Sequence, residues 1–110
     1  MWFIFPQIAG LGFSPTAQFY AIKSLDEARQ YLEHPVLGAR LMECSEILLV
    51  VKDRSVADIF GYPDDLKLRS SMTLFSCVAE EGSVFDAVLE RFFDGKRDAR
   101  TLELLENLQG

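Results

Sequence analysis

Apolar residues recur at three- and four-residue steps through most of this chain, in short runs that capping residues, Gly or Pro interrupt. The clearest stripe is Val84, Phe85, Val88, Leu89 and Phe92, opened by Gly82-Ser83 and closed by Gly95. A second is Leu25, Ala28, Tyr31 and Leu32. Ser24 and Glu27 form a capping box ahead of it, with the serine hydroxyl taking the Glu27 N–H and the glutamate reaching back to Ser24. That helix must stop near His34, because Pro35 disfavours helical geometry in the residue before it. Pro35 can itself open the next helix, over 35–51, on which Leu37, Leu41, Cys44, Leu48 and Val51 share a face. Its tail, 47–51, is apolar all round, which predicts the central, most buried helix; a buried strand is the competing reading of those five residues.

Shorter elements complete the pattern. Ser14-Pro15 reads as an N-cap followed by proline at the first helical position, opening a helix over 15–22. Residues 2–5 fit a short strand in an otherwise looped start that holds Pro6, Gly10 and Gly12. Ser55 caps a helix through Phe60 that Gly61 stops, and Asp64 or Asp65 starts the next, with Leu68, Met72 and Phe75 inward. Asp98 caps a last helix to about Asn107, with Leu102, Leu105 and Leu108 as its apolar edge. Six or seven short helices and no hairpin signal predict a single all-α domain spanning 1–110 with an extended N-terminal segment.

The composition suits that domain. At 110 residues, a chain buries roughly 60–65% of its unfolded surface. The 49% hydrophobic content, with nine Phe, supplies a core without disulfides or metal. Eleven basic against seventeen acidic residues give a net charge of −6, which argues against nucleic acid and against an anionic membrane surface. Cys44 and Cys77 fall in helical apolar patterns without a CxxC neighbour, so they read as reduced, buried thiols. The first six residues are apolar but lack a basic flank and the length of a signal or membrane segment, so the expected location is the cytoplasm.

The densest polar chemistry lies in the run Gly61 to Phe75. If Asp64 or Asp65 is the N-cap, Lys67, Ser70 and Ser71 stand at i, i+3 and i+4 and share a face. An ammonium beside two hydroxyls is a receptor for phosphate, carboxylate or a ribose hydroxyl. The structural alternative has the aspartates as caps, Lys67 solvated, and the serines bonded back to their own helix. His34, the only histidine, suits acid–base work, ligand binding or a structural bond at the helix junction. Trp2, Phe3, Phe5, Phe13, Phe19 and Tyr20, with Gln7 among them, fit either a stacking pocket or a core plug. Gly10 and Gly12 do not form a dinucleotide fingerprint, no second His or Cys stands at metal-ligand spacing, and nothing calls for a cofactor. Glu80, Glu81, Asp86, Glu90 and Asp94 read as a solvated acidic face.

Several blocks carry a specific likeness. Met1-Trp2-Phe3-Ile4-Phe5-Pro6-Gln7-Ile8-Ala9-Gly10-Leu11-Gly12, His34-Pro35-Val36-Leu37-Gly38 and Asp64-Asp65-Leu66-Lys67-Leu68-Arg69-Ser70-Ser71-Met72-Thr73-Leu74-Phe75 resemble the domain-of-unknown-function 1810 family. Tyr20-Ala21-Ile22, Glu27-Ala28, Tyr31-Leu32, Arg40-Leu41 and Ile59-Phe60-Gly61 continue the match through nearly the whole chain. Members are small, mostly bacterial proteins, often mislabelled calpastatin. The resemblance implies an all-helical fold similar to that of a mycobacterial hypothetical protein, and no proven activity. It also implies a preceding segment with a His-Trp pair, which this sequence lacks. The functional expectation is a cytoplasmic domain that binds a small anionic or nucleotide-like ligand. Lys67, Ser70, Ser71 and Asp64 form one wall; Trp2, Gln7, Tyr20 and His34 form the others. Helical ribosyl-hydrolase families also place a lysine near aromatics, an analogy that points to ADP-ribose-like ligands. For an enzyme, Lys67 as nucleophile or clamp and Asp64 as base are the first assignment. The alternative is a non-catalytic protein-interaction or self-associating module.

Overall fold

The computed structural model describes residues 5–11, 15, 18, 21–51, 55–61 and 64–109. Their named helices are α1 (Leu25–Glu33), α2 (Leu37–Val50), α3 (Val56–Phe60), α4 (Asp64–Ser76), α5 (Val84–Phe93) and α6 (Ala99–Gln109). They build one all-α domain with a radius of gyration of 13.0 Å, the value expected for a compact chain of this length.

Local chemistry sets most of the boundaries. Ser24 caps α1 by accepting the Glu27 N–H at 3.1 Å. The Glu27 carboxylate reaches one residue further back than the capping box predicts, taking the Lys23 N–H at 3.3 Å. At α3 the box is reciprocal: Ser55 Oγ accepts the Asp58 N–H at 3.1 Å and Asp58 Oδ2 accepts the Ser55 N–H at 3.3 Å. Gly61 follows α3 at φ 73°, a left-handed turn that glycine makes without a Cβ penalty. Ser83 stands at the α5 N-cap without using its hydroxyl there.

At the N-terminal end, the predicted 15–22 helix is shorter than expected. Pro15 and Gln18 are helical, but Ala21 and Ile22 are not. Ile22 forms a parallel bridge with Ile8: its N–H donates to the Gln7 carbonyl and its carbonyl accepts the Ala9 N–H, both at 2.7 Å. Of the strand expected over 2–5, only Phe5 is among the described residues, and it sits in a bend.

The central helix is α4, not α2. It packs against α1, α3, α5 and α6, and every residue from Ser70 to Phe75 is buried. The all-round apolar tail of α2, helical through Val50, buries only Leu48 fully, with Ile47 53% and Val50 72% exposed. The physical reason is that α2 meets α1 and α5 along one face only, through Gly38, Leu41, Ser45 and Leu48. Polar α4 tolerates the core because its hydroxyls turn back on their own helix. Ser70 donates to the Leu66 carbonyl (3.1 Å), Thr73 to Arg69 (2.8 Å) and Ser76 to Thr73 (2.8 Å).

Three smaller expectations change. The inward face of α6 is Thr101 and Leu105, while Leu102 is exposed, because Thr101 is drawn in by Asp98. Cys77 is exposed and Cys44 half-buried, so neither thiol is sealed in the core. Cys77 lies in the turn past the end of α4, where the core face has ended. Asp86 is not a freely solvated charge: Arg97 pairs with it at 2.9 Å and the Gly82 N–H donates to it at 2.9 Å.

Candidate functional site

The first two turns of α4 carry the chemistry. The Asp65 N–H donates to the Gly61 carbonyl at 3.0 Å, so the helix starts directly from the glycine turn and places Asp64 in its first turn. Lys67 Nζ lies 3.5 Å from Asp64 Oδ1, with the two side chains 34% and 42% exposed. A pair this open contributes at most about 1 kcal/mol, so the ammonium is free to exchange Asp64 for a ligand anion. Ser70 and Ser71 follow one turn on, about 5–6 Å further along the axis. Their hydroxyls differ. Ser70 is bonded to Leu66, as above, whereas Ser71 is 0% exposed and its Oγ has no hydrogen-bond partner.

Gln7 repeats that condition in the N-terminal segment. It is 3% exposed and its carbonyl serves the Ile8–Ile22 bridge, but its Nε2 is buried without a partner. Its neighbours Phe5 and Ile8 belong to the same core as Leu68, Met72 and Leu74.

His34 is placed elsewhere. Its Nδ1 accepts the Val36 and Leu37 N–H groups at 3.1 Å each, capping α2, whose own N-cap residue Val36 has no side-chain bond. The adjoining α1 residue Tyr31 packs against Phe75 with the rings tilted and their centroids 5.6 Å apart. Phe75 lies two turns beyond Lys67 along α4, about 12 Å of helix rise, so His34 belongs to the far end of that helix. Lys67 and Asp64 are therefore brought together, Ser70 and Ser71 sit behind them, and His34 does not join them. Trp2 and Tyr20 lie outside the described residues.

A polar latch adjoins the site and had no signal in the spacing. Asp98 accepts the Thr101 N–H (2.9 Å) and hydroxyl (2.6 Å), pairs with Arg69 at 3.4 Å, and donates its own N–H to Thr73 Oγ1 at 2.9 Å. Burial pushes the Asp98 carboxyl up, but the Thr101 bonds and the Arg69 guanidinium outweigh it and hold the group below the usual carboxylate value. The latch fixes α6 to α4. Only Asp98 was legible beforehand, as a cap. No cluster of three or more His, Cys, Asp or Glu side chains that could hold a metal occurs among the described residues.

Helical fold and motif run together define a family. The chain matches the family model described as protein of unknown function (DUF1810) over residues 1–105, and it belongs to that family. Its structure is similar to the crystal structure of the conserved hypothetical protein Rv1873 from Mycobacterium tuberculosis. The two share 50% sequence identity and a TM-score of 0.93, over 96% of this chain and 75% of that one. No curated protein matches the sequence. Among the described residues, no helix is long and apolar enough to cross a membrane.

Proposed function

We propose that this protein binds a small anionic or nucleotide-like ligand at the Lys67 end of α4. The observation that carries the reading is Ser71. Ser45, Ser70, Thr73 and Ser76 all donate to carbonyls of their own helices, and Ser71 alone among the hydroxyls of α4 and α2 has no partner. Folded proteins pair more than about nine in ten buried polar groups, and leaving one unpaired costs about 1–3 kcal/mol. A ligand acceptor near Ser71 removes that cost, and the unpartnered Gln7 amide supplies a second donor. In this reading Lys67 holds the ligand's negative charge, Ser70 and Ser71 orient it, and Trp2 and Tyr20 stack on its ring. His34, engaged in capping α2, takes no part. Two free cysteines fit a reducing, cytoplasmic compartment.

The test is a thermal-shift screen with mononucleotides, dinucleotides and ADP-ribose. A ligand at a hundred times its Kd stabilises the fold by about 2.7 kcal/mol, a rise of several degrees in Tm. Lys67→Ala loses that rise. No shift from any compound, or an equal shift in Lys67→Ala, rejects the proposal.

A second reading rests on exposed Val36, Ile47 and Val50, which fall on the side of α2 away from Leu41, Ser45 and Leu48. This apolar surface fits a self-associating module. Light scattering separates the two readings, since a clean monomer leaves that face without a partner copy.

A further inference from the structure

A concavity lies at the other end of α4 from Lys67. It is an open groove of about 440 Å³ between α1, α2 and the connection from α4 to α5. That volume falls within the ordinary range for small-molecule sites. Leu32, Met42, Val78, Val84 and Phe85 give it an apolar wall. Glu80 and Glu81 stand on the same concavity, both exposed, and among the described residues neither carboxylate has an ion-pair or hydrogen-bond partner. Ser83 also lines it, with a hydroxyl that is out of water and unpartnered.

We propose that this groove binds a small organic ammonium ion with an aliphatic or aromatic tail. The tail fills the apolar wall, and the ammonium meets Glu80 and Glu81. Arg97 does not satisfy the glutamates, because it is held by Asp86 at 2.9 Å. The positive N-terminus of α5 is offset by the same Asp86, whose second oxygen takes the Gly82 N–H at 2.9 Å. An anion in the groove would face Glu80 and Glu81 directly. A free small molecule is favoured over a folded protein partner because only ten residues line the concavity, against the roughly 20–30 residues a side of a stable protein interface.

The experiment is a backbone-amide NMR titration of the full chain with hexylammonium, hexanol, hexanoate and a capped Leu-Lys-Leu peptide. Saturable shifts confined to residues near 78–85 with hexylammonium, at least about fivefold tighter than with hexanol or hexanoate, are expected. The exposed pair Glu80→Gln/Glu81→Gln should abolish that preference while leaving the fold unchanged. No saturable shift, equal binding of hexanol or hexanoate, or an undiminished preference in the double variant overturns the proposal. Tighter binding of the peptide overturns the small-molecule assignment. Hexylammonium and hexanol carry no negative charge for Lys67, and any hexanoate bound there shifts residues near 64–71 rather than 78–85, so the outcome is independent of the α4 site.

Discussion

Single hydroxyls and carboxylates decide most of what this fold can do. Ser71 is buried without a partner, so Ser71→Ala should leave the unliganded protein as stable as before or up to about 1–3 kcal/mol more stable, read by urea unfolding. The same variant should lose ligand stabilisation. A destabilised Ser71→Ala would show that the hydroxyl does structural work instead. Asp98 behaves oppositely. Its carboxylate caps α6 and pairs with Arg69, and Asp98→Asn should cost about 1–2 kcal/mol at pH 7. The folded carboxyl titrates below its ordinary value, so its contribution is full above about pH 4 and is lost as the pH falls through the lowered folded value. Unfolding curves from pH 6 to 2 should therefore show a shallower acid loss in Asp98→Asn than in the parent protein. Of these residues, Asp98 was legible as a cap because an N-cap is local. The isolation of Ser71 was not, since it depends on which neighbouring hydroxyls turn back on their helix.

At the scale of elements, short-range chemistry and tertiary packing separate cleanly. Ser24, Ser55, Gly61 and Asp98 mark helix ends through contacts within four residues, and all four ends stand where the sequence puts them. The hierarchy of helices was not legible. A run apolar on every side, 47–51, does not say which side meets a partner, and only one face of α2 does. The serine- and threonine-rich α4 looks too polar for the middle, yet back-bonding hides its hydroxyls. Gly38 shows how tightly α1 and α2 meet. A Cβ there would fall 1.9 Å from the Leu32 carbonyl oxygen, backbone that cannot move without shifting α1. Gly38→Ala should destabilise the domain by about 3 kcal/mol or more, visible as a large drop in Tm. A change below about 1 kcal/mol would mean that the α1–α2 junction yields easily.

For the whole molecule, a net charge of −6 and an all-α core built round α4 define a small acidic domain with two concave or polar features at opposite ends of one helix. Membership of the DUF1810 family carries no activity with it, so the proposed binding roles rest on those features alone. Exposed Ile47 and Val50 allow a check on the competing module. Ile47→Lys/Val50→Lys should leave mass and stability unchanged, within about 0.5 kcal/mol, if the protein acts as a monomeric ligand binder. A fall from dimer to monomer by light scattering would favour self-association. The central claim is that a ligand meets the unpartnered Ser71 and Gln7 side chains. It is tested most directly by following the Gln7 side-chain amide in a ¹H–¹⁵N spectrum as ADP-ribose, or the strongest stabiliser from the thermal screen, is added. The account predicts a saturable shift of the Gln7 Nε2 resonances together with the Ser71 backbone amide, absent in Lys67→Ala. Unmoved Gln7 and Ser71 signals at ligand saturation would contradict it.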